Sequence, residues 1–206
     1  MNPIRIVIFA RAPLPGLAKT RLISALGERG AAALAHKMLR HAVAEAGAAN
    51  VGEVELCVTP SPEAPQWRSF LDSSWQVDWQ AQGEGNLGDR LARASQRNIE
   101  AGRSVLLIGA DCPMLTAGYL CEAARRLEKS DAVMIPSVDG GYVLLGFKQY
   151  HANIFQGIAW STDTVAFETL CRIAVLRWSV AQLTRLRDID EPSDLSYLPE
   201  GWLRHE

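Results

Sequence analysis

Short apolar runs recur along this 206-residue chain and are separated by longer segments of mixed polarity. Runs of β-branched and aliphatic residues without polar alternation are typical of strands that helices cover on both faces. Such runs occupy residues 4–10, 53–59, 104–110 and 132–137. We therefore expect these four runs to form strands of a mostly parallel sheet.

The segments between the runs carry apolar residues at helical spacing. Leu34 and Met38 belong to one apolar stripe, and Leu120 and Leu127 belong to another that follows a potential N-cap at Thr116. Because strands and helices alternate, the pattern predicts an α/β fold with helices on both sides of the sheet, that is, three layers.

Two further runs complete the predicted sheet. Residues 75–81 contain polar positions typical of an edge strand, and residues 141–147 follow the fourth run after a tight glycine turn. That connection is too short for a parallel crossover, so we expect one antiparallel strand in an otherwise parallel sheet with right-handed crossovers. No linker, repeat or low-complexity tract divides residues 1–206, which indicates a single domain.

Composition excludes several classes of function. The formal net charge is -2, and lysines and arginines are scattered, which argues against binding of nucleic acid or an anionic membrane but leaves a small anionic ligand open. The four cysteines form no C-x-x-C pair and the four histidines are isolated, so zinc-ligand spacing is absent. The first apolar run is too short to span a bilayer, and we expect a soluble, cytoplasmic protein with reduced thiols.

The loop "FARAPLPGLAKTRL" follows the first predicted strand. Pro13 and Pro15 fix φ, Gly16 allows close backbone approach, and Lys19 and Arg21 bring positive charge to the start of a helix. Ligands of open α/β sheets bind beyond the carboxyl ends of the strands. The loop therefore predicts a diphosphate site, although a solvated basic turn has the same composition.

A Walker A loop is the obvious alternative, because "GLAKT" ends in Lys-Thr. The motif requires a glycine directly before the lysine and another five residues earlier, whereas Ala18 precedes Lys19 and Pro13 is not glycine. The spacing argues against a P-loop kinase.

Asp111 follows the buried strand at 104–110, within "GADCPML". Its carboxylate at the sheet edge can bind Mg²⁺ or Mn²⁺, although an aspartate before Cys-Pro also ends strands without any function. We expect Asp111 and the cationic loop to converge on one pocket. Cys112 invites a nucleophile hypothesis, but no histidine lies in any motif, so we interpret Cys112 as structural.

The turn "DGGYVLLGF" contains a second set of candidate residues. Gly140 and Gly141 leave room for a ligand, the Asp139 carboxylate can accept from sugar hydroxyls, and the Tyr142 ring can pack on a sugar face. A hairpin turn without function would use the same Asp-Gly-Gly sequence.

Two more motifs offer ligand candidates. In "RDIDEPSDL", Asp188 and Asp190 face opposite ways if extended, so only one of them can complete a metal site with Asp111, and Asp190 could instead cap a helix begun at Pro192. In "QGEGNLGDRL", Arg90 lies nearest the start of a helix and is the better ligand candidate.

Arg93 and Arg97 follow Arg90 at helical spacing on the same face. Arginines at such spacing usually face solvent, and we expect these two to do so.

These motifs together resemble a known family: bacterial glycosyltransferase-A-like proteins, long catalogued as an uncharacterised domain family, some of them named arsenosugar biosynthesis glycosyltransferases. The resemblance covers nearly the whole chain and includes "WSTDTV" at 160–165. The family is also similar to small nucleotidyltransferases, among them the guanylyltransferase of phospholactate activation and the nucleotide transferases of the molybdenum cofactor.

The resemblance implies a nucleotide-diphospho-sugar transferase fold of the GT-A type, a nucleotide over the first strands and a divalent cation at the aspartate after the fourth. It implies these site residues: phosphate contacts from Gly16, Lys19, Thr20 and Arg21, a metal carboxylate at Asp111, and a sugar-side turn at 139–142.

Two departures from the family pattern concern the site. Arg11 stands where lysine is usual, which keeps the charge but not the geometry, and Asn86 stands where aspartate is usual. The D-x-D motif of familiar glycosyltransferases is incomplete because residue 109 is glycine. A second metal ligand must therefore come from elsewhere, and Asp188 or Asp190 is the expected source.

The sequence thus predicts a glycosyltransferase that uses Mg²⁺ or Mn²⁺, a nucleotide-sugar donor and a small-molecule acceptor. Arg11 and Arg90 complete the predicted nucleotide contacts, and Asp139 is the predicted catalytic base. Nucleotidyl transfer from a nucleoside triphosphate to a phosphorylated small molecule is the alternative reaction. Non-catalytic nucleotide binding is a third interpretation.

Overall fold

A seven-stranded sheet organises the computed structural model, which describes residues 2–70, 72 and 74–203. The strand order is β3-β2-β1-β4-β6-β5-β7. In chain order the strands are Ile4–Arg11 (β1), Gly52–Thr59 (β2), Val77–Ala81 (β3), Ser104–Gly109 (β4), Ala132–Pro136 (β5), Tyr142–Phe147 (β6) and Val180–Gln182 (β7).

Strand directions confirm the predicted fold class. β6 pairs antiparallel with β4 and with β5, whereas the other described pairings, β1 with β2 and β4, β2 with β3, and β5 with β7, are parallel. The turn between β5 and β6 is too short for a crossover, which forces the reversal. β3 lies at an edge, as its polar residues predict. No sequence pattern predicted β7, because three residues are too few to show a strand pattern.

In the described part of the chain, four α-helices cover the sheet: Ile23–Ala49 (α1), Leu87–Glu100 (α2), Ala117–Lys129 (α3) and Val165–Val175 (α4). α1 is interrupted at Gly27, whose φ of 68° is not helical. None of the described helices is long and apolar enough to cross a membrane.

The apolar core lies on both faces of the sheet. On one face, Leu39 of α1 and Leu120 of α3 belong to a buried cluster with Ile6; on the other face, Leu91 of α2 and Ile173 of α4 are buried in a second cluster. Burial on both faces explains why the central strands read as nearly continuous apolar runs.

A third, smaller cluster connects the segment after β1 and helix α1 to the C-terminal segment of the chain. Leu22 and Met38 are buried there together with Ile189, and Trp202 packs against them. The segment around Ile189 is therefore held beside the loop that follows β1. This packing positions two sequence-distant polar motifs at the same edge of the sheet.

Candidate active site

A cavity of about 600 Å³ opens at the carboxyl ends of β1 and β4. Its volume lies in the range of small-molecule sites, and its location agrees with where open α/β sheets bind ligands. Polar residues contribute much of its lining: Arg11, Lys19, Thr20, Arg21, Gln82, Arg90, Asp111 and Asp190.

The loop after β1 and the aspartate after β4 converge at this cavity, as the sequence predicted. Lys19 Nζ donates to Asp111 Oδ2 at 3.1 Å and to Asp190 Oδ1 at 3.3 Å. Burial of the ammonium group favours a low pKa, but the charges of Asp111 and Asp190 and their hydrogen bonds outweigh it, so the pKa of Lys19 is raised. Lys19 is therefore a largely buried side chain that carries its positive charge at neutral pH.

Positive charge exceeds negative charge around the cavity. Arg21 Nη1 donates to Asp190 Oδ2 at 2.5 Å, and Arg11 and Arg90 also line the space. Four cations thus face two carboxylates in a chain whose formal net charge is -2. A concave site with this charge excess attracts an anion.

Arg90 is held at the cavity by two hydrogen bonds. Its Nε donates to Gly85 O at 3.0 Å and its Nη1 donates to Gln82 Oε1 at 3.0 Å. Asn86, which departs from the family pattern, is the N-cap of α2: its Oδ1 accepts from Asp89 N at 3.1 Å, and Asp89 Oδ2 accepts from Asn86 N at 2.9 Å. This reciprocal cap fixes the first turn of α2, from which Arg90 projects.

Two arginines on α2 have partners that their spacing did not predict, although Arg93 is exposed, as expected, and Arg97 is partly exposed. Arg93 donates to the backbone oxygens of Gln82 and Glu84, and Arg97 pairs with the buried Glu55. Both interactions join α2 to other elements, which helical periodicity by itself does not reveal.

Asp188 lies on the opposite side of the loop backbone from Asp190, as alternation predicts. Its Oδ1 accepts from Ser137 Oγ. Burial is the main cause that raises the pKa of Asp188, and the negative charges of Asp111 and Asp139 add to it. Asp188 therefore belongs with Asp111 and Asp139 in a region of negative potential, whereas Asp190 pairs with Lys19 and Arg21.

The helix cap predicted for Asp190 is wrong. The 3₁₀-helix Pro192–Tyr197 has Glu191 as its N-cap. Asp194 Oδ2 accepts from the backbone N–H groups of Asp190 and Glu191 at 3.1 and 2.9 Å, and Arg187 Nη1 donates to Asp194 Oδ1 at 2.9 Å. Asp194 thus organises the loop and frees the Asp190 side chain for Lys19.

The turn before β6 differs from its predicted role at two residues. Gly140 has φ 93°, and a Cβ there would lie 2.0 Å from Asp163 O, so this glycine allows contact with the chain before α4 and not with a ligand. The Tyr142 hydroxyl is buried, and its ring packs against the cluster beneath α4, which corrects the expected sugar contact. Asp139 Oδ1 accepts from Gly141 N at 2.9 Å on the exposed side of the turn.

Two further glycines, Gly16 and Gly109, lie in the segments that form the site. Gly16, predicted to contact phosphate, has φ 75° and does not line the cavity, although Lys19, Thr20 and Arg21 of the same loop do. A Cβ at residue 109 would lie 2.5 Å from Asp111 Oδ1. An aspartate at 109 would therefore require the Asp111 side chain to move from its observed position.

The carboxylates at the site are candidate ligands for a metal ion. No group of three or more His, Cys, Asp or Glu side chains is arranged to hold a metal ion within residues 2–70, 72 and 74–203. Asp111 and Asp188 remain as two hard oxygen donors beside an anion-attracting cavity. Mg²⁺ commonly uses one or two carboxylates and takes its remaining ligands from substrate phosphate and water, and the donor set fits a cation of this kind.

Cys112 has the environment of a structural thiol. Its Sγ donates to Arg187 O at 3.2 Å, and burial raises its pKa to about 12. Such a thiol is almost entirely protonated at neutral pH.

Solved structures share this fold. A candidate nucleotide-diphospho-sugar transferase from Desulfovibrio desulfuricans G20 is 27% identical with a TM-score of 0.87, over 100% of this chain and 92% of that one. A nucleotidyl transferase from Methanothermobacter is 15% identical with a TM-score of 0.66, over 99% of both chains. Rv0371c from Mycobacterium tuberculosis H37Rv, in complex with manganese, is 16% identical with a TM-score of 0.53, over 98% of this chain and 100% of that one.

The fold is therefore that of the nucleotidyl and nucleotide-sugar transferases. Residues 42–162, more than half of the chain, match the sequence profile of DUF2064, described as an uncharacterized protein conserved in bacteria. The chain belongs to this family, as the motifs predicted. No curated protein sequence matches it significantly.

Proposed function

We propose that this protein is a glycosyltransferase that binds a nucleotide-sugar in the cavity and transfers the sugar to a small-molecule acceptor. One observation carries the proposal: Lys19 Nζ, a largely buried cation, lies within 3.3 Å of both Asp111 and Asp190 at the carboxyl ends of strands β1 and β4. Cationic and carboxylate groups that meet at this edge suit a diphosphate with its counter-cation.

The cationic residues would act on the departing nucleoside diphosphate. As the bond between the sugar and the diphosphate breaks, negative charge grows on the phosphate oxygens. Lys19 and Arg21 lie on a stiff loop, and Arg90 is fixed by hydrogen bonds before a ligand arrives. Preorganised cations of this kind stabilise developing charge without reorientation during the reaction.

Asp111 and Asp188 are the residues proposed to hold Mg²⁺ or Mn²⁺. When bound, the cation would neutralise the diphosphate and polarise its oxygens. Burial is the main cause of the raised pKa of Asp188, and the charges of Asp111 and Asp139 add to it; carboxylates this near each other favour a cation between them, which supports this role.

Asp139 is proposed to position or deprotonate the acceptor hydroxyl. It is exposed on the turn next to Asp188, and one of its oxygens, Oδ1, is held by Gly141 N. The other carboxylate oxygen, Oδ2, has no hydrogen-bond partner among the described residues and is available to take the acceptor proton.

Nucleotidyl transfer is the second candidate function. The presence of four cations at the cavity favours it, because a nucleoside triphosphate carries more negative charge than the diphosphate of a nucleotide-sugar. The similarity to the Methanothermobacter nucleotidyl transferase gives the fold precedent for this reaction.

Product analysis distinguishes the two reactions. The protein is incubated with Mn²⁺, candidate acceptors and either nucleotide-sugars or nucleoside triphosphates, and ³¹P NMR identifies the phosphorus products. Release of a nucleoside diphosphate from a nucleotide-sugar supports glycosyl transfer, and release of pyrophosphate supports nucleotidyl transfer. Metal-dependent binding without turnover of any substrate would contradict both and leave nucleotide binding alone.

The same experiment tests the metal residues. In Asp111→Asn, the Mn²⁺-dependent part of nucleotide binding and of turnover should disappear. Asp131→Asn is the matched control. Asp131 directly precedes β5 and pairs with Ser179, whereas the cavity lies at the carboxyl ends of β1 and β4. Unchanged metal dependence in Asp111→Asn would contradict the assigned ligand.

A further inference from the structure

Gln82 is a buried polar residue at the cavity for which the motifs predicted no role. It follows β3, and only 6% of its surface is exposed. Its Nε2 donates to Ala10 O at 3.1 Å and to Cys57 O at 2.9 Å, and its Oε1 accepts from Arg90 Nη1 at 3.0 Å. A single side chain thus joins β1, β2 and the first turn of α2.

The chemistry of these partners fixes the orientation of the amide. Two backbone carbonyl oxygens require a donor, and a guanidinium requires an acceptor, so Nε2 and Oε1 cannot exchange places. A glutamate would set a carboxylate oxygen against two carbonyl oxygens, and an aliphatic residue would leave those oxygens without this donor. Glutamine satisfies both sides with no net charge.

Because both polar ends of Gln82 are engaged, the side chain has little capacity left to contact a ligand directly. Arg90 is different. Its Nε and Nη1 are held by Gly85 O and Gln82 Oε1, while its Nη2 has no hydrogen-bond partner in the described part of the chain. The guanidinium is therefore locked in one plane at the cavity with donors remaining for an anionic or carbonyl ligand group.

We propose that Gln82 is a positioning residue that acts through Arg90. Its hydrogen bonds to the ends of β1 and β2 hold the Arg90 guanidinium in the orientation in which it contacts the nucleotide. This inference rests on the proposed nucleotide site. It goes beyond that proposal because it assigns a role to a residue that does not itself touch the ligand.

A double-mutant cycle tests the inference. Affinities for GDP and UDP with Mg²⁺ are measured by calorimetry for the wild type, Gln82→Met, Arg90→Met and the double variant. We expect Gln82→Met to weaken binding of the tighter diphosphate about tenfold, since a hydrogen bond that orients a charged group is lost. In the Arg90→Met background the same substitution should change affinity less than twofold. An equal loss in both backgrounds would show that Gln82 does not act through Arg90 and would overturn the proposal.

Arg90→Lys provides a test that leaves the buried amide intact. Lysine keeps the charge but cannot donate both orienting hydrogen bonds, to Gly85 O and Gln82 Oε1, from one fixed plane. Affinity should fall nearly as far as in Arg90→Met, and full affinity in Arg90→Lys would overturn the proposal even if Gln82→Met does not fold. Gln96→Met is the matched control, because the Gln96 amide donates to Glu100 on the exposed face of α2 and binding should not change.

The design separates failure of this inference from failure of the proposed function. If the wild type binds neither GDP nor UDP, nor any other nucleoside diphosphate, the proposed nucleotide site is wrong. If the wild type binds one of them and the cycle shows no coupling between Gln82 and Arg90, only the positioning role is wrong.

Discussion

Lys19 Nζ lies 3.1 Å from Asp111 Oδ2, although the two residues are 92 positions apart in the chain. Asp190, a further 79 residues on, shares the same ammonium group at 3.3 Å. The Lys19 ammonium group therefore pairs with Asp111, the carboxylate that is proposed to bind metal. Lys19 holds Asp111 Oδ2, and a metal ion at Asp111 would compete with the ammonium group for the charge of this carboxylate, so binding of phosphate by Lys19 and of metal by Asp111 should be linked.

Replacing Lys19 tests this linkage. In Lys19→Met, affinity for a nucleoside diphosphate should fall tenfold or more, because a buried cation of the site is lost. Affinity for Mn²⁺ without nucleotide should rise, since Asp111 loses its counter-cation. Free Mn²⁺ measured by electron paramagnetic resonance reports the second effect. Lys37→Met is the control, as Lys37 donates to the backbone oxygens of Gly201 and Trp202, and unaltered Mn²⁺ binding in Lys19→Met would contradict the linkage.

The pH dependence of stability should report on Asp188. Its pKa is raised in the folded protein, first by burial and then by Asp111 and Asp139, above the ordinary 3.8. A carboxyl group with a raised folded pKa costs stability as the pH rises from its unfolded pKa through its folded pKa. Asp188→Asn removes this cost, so the variant should gain stability relative to the wild type at pH 7 and lose that advantage near pH 4. Urea unfolding at several pH values measures the difference, and a constant difference would argue against the assignment.

Gly140→Ala should be among the more destabilising glycine substitutions. The new Cβ would lie 2.0 Å from Asp163 O and the residue must keep a φ of 93°, so steric conflict adds to backbone strain. We expect a loss of about 3 kcal/mol. Gly102→Ala is the matched control, because Gly102 has φ 77° but a Cβ there would have no atom within 4 Å. This variant should lose only about 1 kcal/mol of unfolding free energy. Equal losses in thermal unfolding would contradict the steric argument.

Cys112→Ala should retain transferase activity. With a pKa of about 12, roughly one Cys112 in ten thousand is a thiolate at pH 8, which is too few for a nucleophile. In the native protein a thiol reagent such as DTNB should modify the exposed Cys171 and leave Cys112 and Cys57 unmodified. Loss of turnover in a folded Cys112→Ala variant would revive the nucleophile hypothesis.

Local patterns predicted much of the fold. The antiparallel β6 follows from a glycine turn too short for a crossover, and the edge position of β3 follows from its polar residues, because both are consequences of local chain length and composition. β7 was missed, since it is held in place mainly by pairing with β5 and not by its own pattern.

The candidate site was predicted unevenly for the same reason. Lys19 and Asp111 each follow a recognisable strand, so their meeting could be expected from the rule that ligands bind at carboxyl ends. Tyr142 was misassigned because a tyrosine beside two glycines gives no sign of which face its ring will occupy. Gln82 was overlooked because its importance lies in three partners from distant segments.

The sequence by itself determined the strand and helix alternation, the reversal at β6 and the cationic loop, because spacing, turn length and residue type act locally. Tertiary structure alone decided that Asp190 pairs with Lys19 while Asp188 faces Asp111 and Asp139, and that Gln82 ties Arg90 to two strands. These relationships depend on packing of the C-terminal segment and of α2 against the sheet, where distances between remote residues arise from burial that no local pattern encodes.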